Sequence, residues 1–380
     1  MKLVIFGLTV SSSWGNGHAT LWRGLIRALA RRGHTVIFFE RDVPYYSAHR
    51  DCGEIPRGEL LLYADWNDVT PAAQAHLDEA DVAIVTSYCP DAVAASDLLL
   101  DSRVPLKLFY DLDTPVTIDC LRAGQTVSYL PARGLRDFDL VLSYTGGAAL
   151  DELQSRLGAR QVAPLYGSVD PDAHRPATAR PEFAADLSYL GTYAEDRQAA
   201  LNALFIEAAR RLPHQRFLIG GAQYPERFPW AENIFFVQHV PPPLHSAFYC
   251  SSRLTLNVTR RAMAEMGYCP SGRLFEAAAC GVPVLSDWWQ GLDQFFAQGS
   301  EILIARNTDE AVAALALPDE ELARIARAAR ERALDEHTAD CRVDDFIAAL
   351  ELVRQATQVE RAPLAARAGT RTQLASGAEG

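Results

Sequence analysis

Ser271-Gly272-Arg273-Leu274-Phe275-Glu276-Ala277-Ala278-Ala279-Cys280-Gly281-Val282-Pro283-Val284-Leu285-Ser286-Asp287 is the stretch on which the fold turns. It reads as a short helix with a stop, then a buried strand. Ser271 is a suitable N-cap, and Gly281 suits the position just past the helix, because glycine enters the left-handed region without strain. Val282 to Leu285 is apolar and largely β-branched, as a strand covered on both faces should be. Arg273, Glu276 and Cys280 share one side of the helix, while Leu274, Ala277, Ala278 and Gly281 fill another. A guanidinium and a carboxylate therefore sit in the first two turns of a helix that opens beyond a parallel sheet. Free N–H groups, the positive dipole end and an added cation make an anion site. A carboxylate one turn deeper accepts two hydroxyl hydrogens. Anion and diol side by side point to a nucleotide sugar.

Outward from this stretch, strands and helices alternate in both directions. Toward the N-terminus, Leu187–Leu190, Arg216–Ile219, Ile234–Val237 and Leu254–Val258 read as strands, and Ile302–Ile304 follows on the other side. Gly191-Thr192-Tyr193 is a turn, and Arg197 to Leu212 a helix. Gly167 to Ala185 holds three prolines and little periodicity, so the linker is placed there. Before it runs a second series: Lys2–Phe6, His34–Phe39, Leu60–Tyr63, Val82–Thr86, Leu106–Tyr110 and Leu140–Ser143. The first two strands flank a serine- and glycine-rich loop, with Gly15-Asn16-Gly17-His18, and an amphipathic helix from Ala19 to Arg32. Such βαβ units imply parallel sheets with right-handed crossovers. The glycine spacing is not that of a dinucleotide fingerprint. The expected organisation is α/β: a Rossmann-like domain over 1–168, joined by a helix over 343–356, and another over 186–335, with a cleft between. A tail over 357–380 lacks core-forming residues and is expected to be disordered.

The chain has 380 residues, 49% of them hydrophobic, enough for two cores. No apolar run is long enough to span a bilayer, and no signal peptide is evident, which predicts a cytoplasmic protein. The seven cysteines show no metal-ligand spacing. A formal net charge of −12 argues against nucleic acid as a partner.

The motifs also carry a resemblance. Leu256-Asn257-Val258-Thr259-Arg260, Pro270-Ser271-Gly272-Arg273-Leu274-Phe275-Glu276 and Gly291-Leu292-Asp293-Gln294-Phe295-Phe296, in that order, are similar to CgeB-like (spore-maturation-type) glycosyltransferases of the GT-B fold, related to glycosyltransferase family 4. Many family-4 members carry a second glutamate eight positions before the ribose-binding one. Tyr268 stands there in this chain, and Glu265 is out of register. The resemblance implies transfer of a hexose from a nucleotide diphosphate sugar, UDP by the family's habit, to an acceptor that the sequence does not identify. It also implies that the last helix crosses back to the first domain.

Under that reading Glu276 binds ribose hydroxyls, while Arg273 and the N–H groups of Ser271 and Gly272 face the diphosphate. Arg197, near a positive helix end, makes more sense with a phosphate between, and Arg260 and Asn257 carry the family match. Gly17 and Gly191, in the turns after the first strand of each domain, line the donor site. His239 and Val240 precede Pro241-Pro242-Pro243, read as an extended loop whose backbone meets the nucleobase. His18 is a candidate general base, with Asp113 and Asp111 as alternatives. Each has an ordinary structural reading too: His18 as a helix cap, the aspartates as turn formers. Asp111-Leu112-Asp113 spells a metal motif but lies in the first domain, so no metal or other cofactor is expected. A sugar-nucleotide epimerase or hydrolase on the same fold, or a non-catalytic nucleotide-sugar-binding protein, stays open.

Overall fold

The structure, a computed structural model, describes residues 1–361. The first sheet has seven strands, β1 (Lys2–Gly7), β2 (Thr35–Arg41), β3 (Gly58–Tyr63), β4 (Val82–Thr86), β5 (Leu106–Asp111), β6 (Leu140–Ser143) and β7 (Val162–Pro164), ordered β3-β2-β1-β4-β5-β6-β7. The second has six, β8 (Ala185–Leu190), β9 (Phe217–Gly221), β10 (Ile234–Gln238), β11 (Ser252–Asn257), β12 (Val284–Ser286) and β13 (Leu303–Ile304), ordered β10-β9-β8-β11-β12-β13. Every pairing is parallel. These are two Rossmann-like units, as the alternation of strand and helix dictates.

Strand periodicity explains the layering. Leu3 and Ile5 point to one face of the first sheet, against Trp22, Ile26 and Leu29 of the helix Gly17–Arg31. Val4 and Phe6 point to the other, against Phe39, Val85 and Leu99. The last helix, Ala339–Arg361, packs Val343, Phe346, Leu350 and Val353 into that first-domain core. Burying a side chain such as Phe346 or Leu350 stabilises by roughly 1.5–3 kcal/mol. This helix is longer than the expected 343–356: it takes in 357–361, and the rest of the expected tail lies outside the described residues.

Three local readings need correction. Val282 belongs to the helix stop, Pro283 lends only its carbonyl to the sheet, accepting Thr255 N–H at 3.1 Å, and the strand is Val284–Ser286. The prolines at 241–243 do not form an extended loop. Pro241 is an N-cap and Pro242 starts the helix Pro242–Cys250, because proline's fixed φ suits a first turn whose N–H groups are unbonded anyway. Ser271 occupies the N-cap position of the helix Gly272–Ala279, but its side chain makes no capping bond. Gly281 does terminate that helix, at φ +76°, with Val282 N–H donating back to Ala277 O at 3.1 Å.

Strand order reverses beside β1 in the first sheet and beside β8 in the second. Crevices beyond strand C-termini at such points are where open α/β sheets bind ligands. Here the two crevices face each other.

Candidate functional site

Between them lies a cavity of about 400 Å³. From the first domain it is lined by Gly15, Asn16, Gly17, His18, Asp113 and Tyr144. From the second it is lined by Gly191, Arg197, His239, Val240, Arg260, Ser271, Gly272, Arg273 and Glu276. Of the sequence-predicted site residues, only Asp111 and Asn257 stand outside this lining.

The second-domain wall is tightly bonded. Arg273 Nη1 donates to Asn257 Oδ1 at 2.7 Å, and its guanidinium lies 5.1 Å from the Tyr189 ring centroid. Asn257 is 1% exposed, and its Nδ2 donates to Ser286 Oγ at 2.9 Å. It therefore holds the arginine rather than touching the cavity. Gly191 is needed where it is: a Cβ there would meet the Tyr189 hydroxyl at 2.9 Å and Arg273 Nη2 at 3.3 Å.

Glu276 accepts from the Tyr249 hydroxyl at Oε2 (3.1 Å), and its Oε1 lies 4.0 Å from His174 Nε2. Burial alone would raise its pKa. His174, His245, the Tyr249 hydrogen bond and Arg273 together outweigh that and lower it, so the carboxylate is charged. Burial pushes the His245 ring down to about 4, with further depression from His174, so His245 is neutral at pH 7.

Two more arginines face the cavity. Arg197 Nη1 donates to Thr192 O at 3.1 Å, and its Nε is buried without a partner. Arg260 Nε donates to Asp196 Oδ2 at 2.8 Å, and its Nη1 lies 3.8 Å from Asp113 Oδ2. Burial opposes the charge on Arg260, but Asp196 and Asp113 prevail and raise its pKa.

The first-domain wall is looser. Asn16 caps the helix Gly17–Arg31, its Oδ1 accepting the His18 backbone N–H at 2.9 Å. A Cβ at Gly17 would meet nothing within 4 Å. His18 Nε2 is 4.0 Å from Asp113 Oδ2, too far for a hydrogen bond, and its Nδ1 is buried and unpartnered. Burial lowers the His18 pKa and Asp113 partly restores it. The ring is thus neutral near pH 7. Asp111 is fully buried behind the cavity. Its Oδ1 accepts the Asp113 N–H at 3.1 Å, and burial pushes its pKa up to about 6. It orders the loop and cannot reach a ligand in the cavity.

Other positions acquire clear structural roles. The Tyr268 ring packs where Cβ atoms on Gly147 and Gly291 would fall, at 2.4 Å, and its carbonyl accepts from Gly146 N–H at 3.0 Å. An aromatic wedge between the domains thus occupies the register of the absent second glutamate. Glu265 is exposed. Tyr224 donates to Gly191 O at 3.0 Å, supporting the turn beside the cavity.

Sequence reasoning missed His174, His245 and Asp196. His174 sits in the proline-bearing linker and is 2% exposed. Its only signal was an unexplained histidine in a segment without periodicity. Tyr249 is buried, yet its hydroxyl serves Glu276.

Comparisons with known proteins agree with this geometry. Residues 197–348 match a family model described as glycosyl transferase-like. Among curated proteins nothing matches. The chain is similar in structure to sucrose-phosphate synthase from Thermosynechococcus elongatus, at 14% identity and TM-score 0.65, covering 96% of this chain and 100% of that one. It is also similar to HepE from Anabaena in complex with UDP and glucose, at 15% identity and TM-score 0.63, covering 92% and 99%. An alpha-glucosyltransferase in complex with UDP matches at 11% identity and TM-score 0.66, covering 92% and 100%. The architecture is that of GT-B glycosyltransferases, and the second half carries a glycosyltransferase-like domain. Among the described residues no helix is long and apolar enough to cross a membrane.

Proposed function

We propose that the protein transfers a hexose from a nucleotide diphosphate sugar, UDP-linked by preference, to an acceptor hydroxyl, within the CgeB-like group that its motifs resemble. One observation supports this above the rest. The helix Gly272–Ala279 presents its N-terminus, Arg273 and the charged Glu276 to one cavity, and His18 and Asp113 close that cavity from the other domain. UDP is preferred because two structural neighbours hold it.

In this reading the second domain holds the donor. Glu276 accepts the ribose hydroxyl hydrogens. The Gly272 N–H, Arg273, Arg197 and Arg260 gather around the diphosphate. As the glycosidic bond breaks, negative charge grows on the leaving diphosphate, and fixed dipoles and guanidiniums stabilise it without reorganising. The backbone of His239 and Val240 borders the base. His239 is at φ +52°, its N–H donating to Gly221 O at 2.7 Å, which fixes that edge.

The first domain takes the acceptor. A hydroxyl between His18 Nε2 and Asp113 Oδ2 would bridge their 4.0 Å gap. A neutral imidazole there can take its proton, or Asp113 can, with His18 then touching the sugar. Transfer through this machinery needs no metal, since the charge on the diphosphate is met by arginines and N–H groups.

The test is ligand-induced stabilisation across a panel of nucleotides and nucleotide sugars. A donor at about a hundred times its Kd adds about 2.7 kcal/mol. The largest shift should come from UDP and a UDP-hexose, and should shrink to about 0.3–1.4 kcal/mol in Glu276→Ala. UDP release should then depend on added acceptor. A shift undiminished in Glu276→Ala, or release that ignores every acceptor, overturns the assignment.

A further inference from the structure

Behind the Glu276 carboxylate lies a cluster that sugar transfer does not explain. Side-chain donor atoms of His174, His245 and Glu276 all lie within 4.8 Å of one another. The three come from separate places: the linker, the helix Pro242–Cys250 and the helix Gly272–Ala279. Such convergence needs tertiary structure to impose it, because nothing local brings them together.

The hydrogen bonding around them is incomplete in an informative way. His174 is 2% exposed, and neither of its ring nitrogens has a partner. A buried imidazole with both nitrogens unbonded is costly, because each has lost its water without gaining a partner. His245 Nε2 lies 3.0 Å from Val240 O, which places its proton there and leaves Nδ1 as a lone pair. That Nδ1 is also buried and unpartnered. The Tyr249 hydroxyl steadies Glu276 Oε2, leaving Oε1 turned toward His174 Nε2 at 4.0 Å. Metal-binding histidines and carboxylates are typically steadied in this manner by a backbone carbonyl or a hydroxyl on their far side. The linker itself is pinned: the Ser246 hydroxyl donates to Ala173 O at 3.1 Å, beside His245 in sequence.

We propose that His174, His245 and Glu276 form a binding site for a transition-metal dication of the zinc class, and that a metal held there excludes the donor's ribose. Two imidazoles and one carboxylate suit zinc, whereas magnesium and calcium favour all-oxygen sets. Three protein ligands leave a fourth position, and Glu276 and His245 both line the cavity, so that position opens toward solvent and ligand. The donor atoms must close by roughly an ångström to reach Zn–N and Zn–O distances of about 2.0–2.2 Å. Glu276 cannot then give both oxygens to a ribose. Zinc is thus an inhibitor that competes with the donor, and catalysis itself remains metal-free. The exclusion rests on the ribose assignment above; the metal site does not.

The experiment uses the full chain, freed of metal, with Zn²⁺ titrated against a chromophoric chelator. The expected result is one zinc per chain. Losing an outer partner of a metal ligand costs about 10–100-fold, so losing a ligand in His245→Gln or His174→Gln should cost at least that. Circular dichroism checks that each variant is folded; His245, at the cavity edge, is the safer of the two. Co²⁺ gives a second readout: visible d–d absorption in the wild type that is absent from both variants. Zinc should weaken UDP binding in the wild type and leave it unchanged in His245→Gln. Unaltered zinc affinity in folded His245→Gln overturns the site, and UDP affinity indifferent to zinc in the wild type overturns the exclusion. The ribose assignment fails separately, if Glu276→Ala binds UDP as the wild type does with EDTA present.

Discussion

The two walls of the cleft differ in how completely they are tied down. On the second-domain side, Arg273 is bonded to Asn257 and Asn257 to Ser286, while Thr259 N–H donates to Asp287 Oδ2 at 3.0 Å. Arg273, Asn257 and Glu276 there are each held by another side chain before any ligand arrives. On the first-domain side, His18 and Asp113 approach to 4.0 Å without bonding, and His18 Nδ1 has no partner. A preorganised wall suits a group whose charge must be met at once. An open pair suits a hydroxyl that completes it. The division implies that substitutions on one wall change turnover and substitutions on the other change donor binding.

The largest expected effect tests the open wall. His18→Ala should lower kcat by about 10²–10⁴-fold, the range for a positioned acid–base group. Donor Kd should stay within about twofold, because His18 bonds nothing on the donor side; acceptor-dependent UDP release and calorimetric UDP binding read the two quantities. An equal loss in both would erase the contrast between the walls. Because the ring is neutral and its pKa is lowered by burial, rate should also fall as pH drops through a value below 6.5. A pH–rate profile that shifts upward instead assigns the base elsewhere.

Glu276→Ala should act in the opposite way. Hydrogen bonds to a charged group are worth about 1.5–3 kcal/mol, so UDP affinity should fall by about 10–150-fold. The variant should no longer distinguish UDP from its 2′,3′-dideoxy analogue, whereas the wild type should bind the analogue as weakly as the variant binds UDP. Persistent discrimination would move the ribose to another residue.

How the sequence foretold this contrast is itself instructive. Val82–Thr86 and Leu140–Ser143 are strands to the residue, since buried parallel strands read as plain apolar runs. Glu276 and Arg273 were legible because one helix carries both. β7 was not: it is three residues long, half-exposed and ends on Pro164 at the sheet's edge. The helix expected over 197–212 is present but passes through a π-helical turn at Asn202–Ile206, a ring-size change that side-chain periodicity does not encode. His174, His245 and Tyr249 escaped for a different reason. Each looks ordinary in its own segment, and only the packing of linker on helix brings them to Glu276.

The two walls also answer pH in opposite directions. Burial pushes Asp111 up to about 6, so this first-domain carboxyl binds a proton more readily folded than unfolded. Its contribution is present below the unfolded value and lost as pH rises through about 6. Burial pushes His245 on the second-domain wall down to about 4, and likewise His337, which lies behind that wall against Phe275 and Phe295, so their contribution is present above about 6.5 and lost as pH falls toward 4. From pH 7 to 4.5 the histidines should dominate, costing on the order of 1–3 kcal/mol each. Urea unfolding in EDTA at both pH values checks this. His245→Gln should flatten the loss and Asp111→Asn should steepen it; the reverse pattern would contradict the burial of both.

The smallest effect concerns Arg260, which stands where the walls meet. Its Nε bonds Asp196 at 2.8 Å, and its Nη1 is 3.8 Å from Asp113. Asp196 belongs to the second domain and Asp113 to the first, so the guanidinium is shared across the cleft. Asp196→Asn keeps an acceptor for Nε but removes a charge. Arg260 is then less neutralised and more available to the diphosphate. For a partly exposed pair the change should stay within about 1 kcal/mol, read as donor KM lowered up to about fivefold with kcat little altered. The gain should shrink in high salt, as screening of an exposed charge requires. If kcat falls instead, the freed arginine has been drawn onto Asp113, and Asp196 serves to keep the two walls apart.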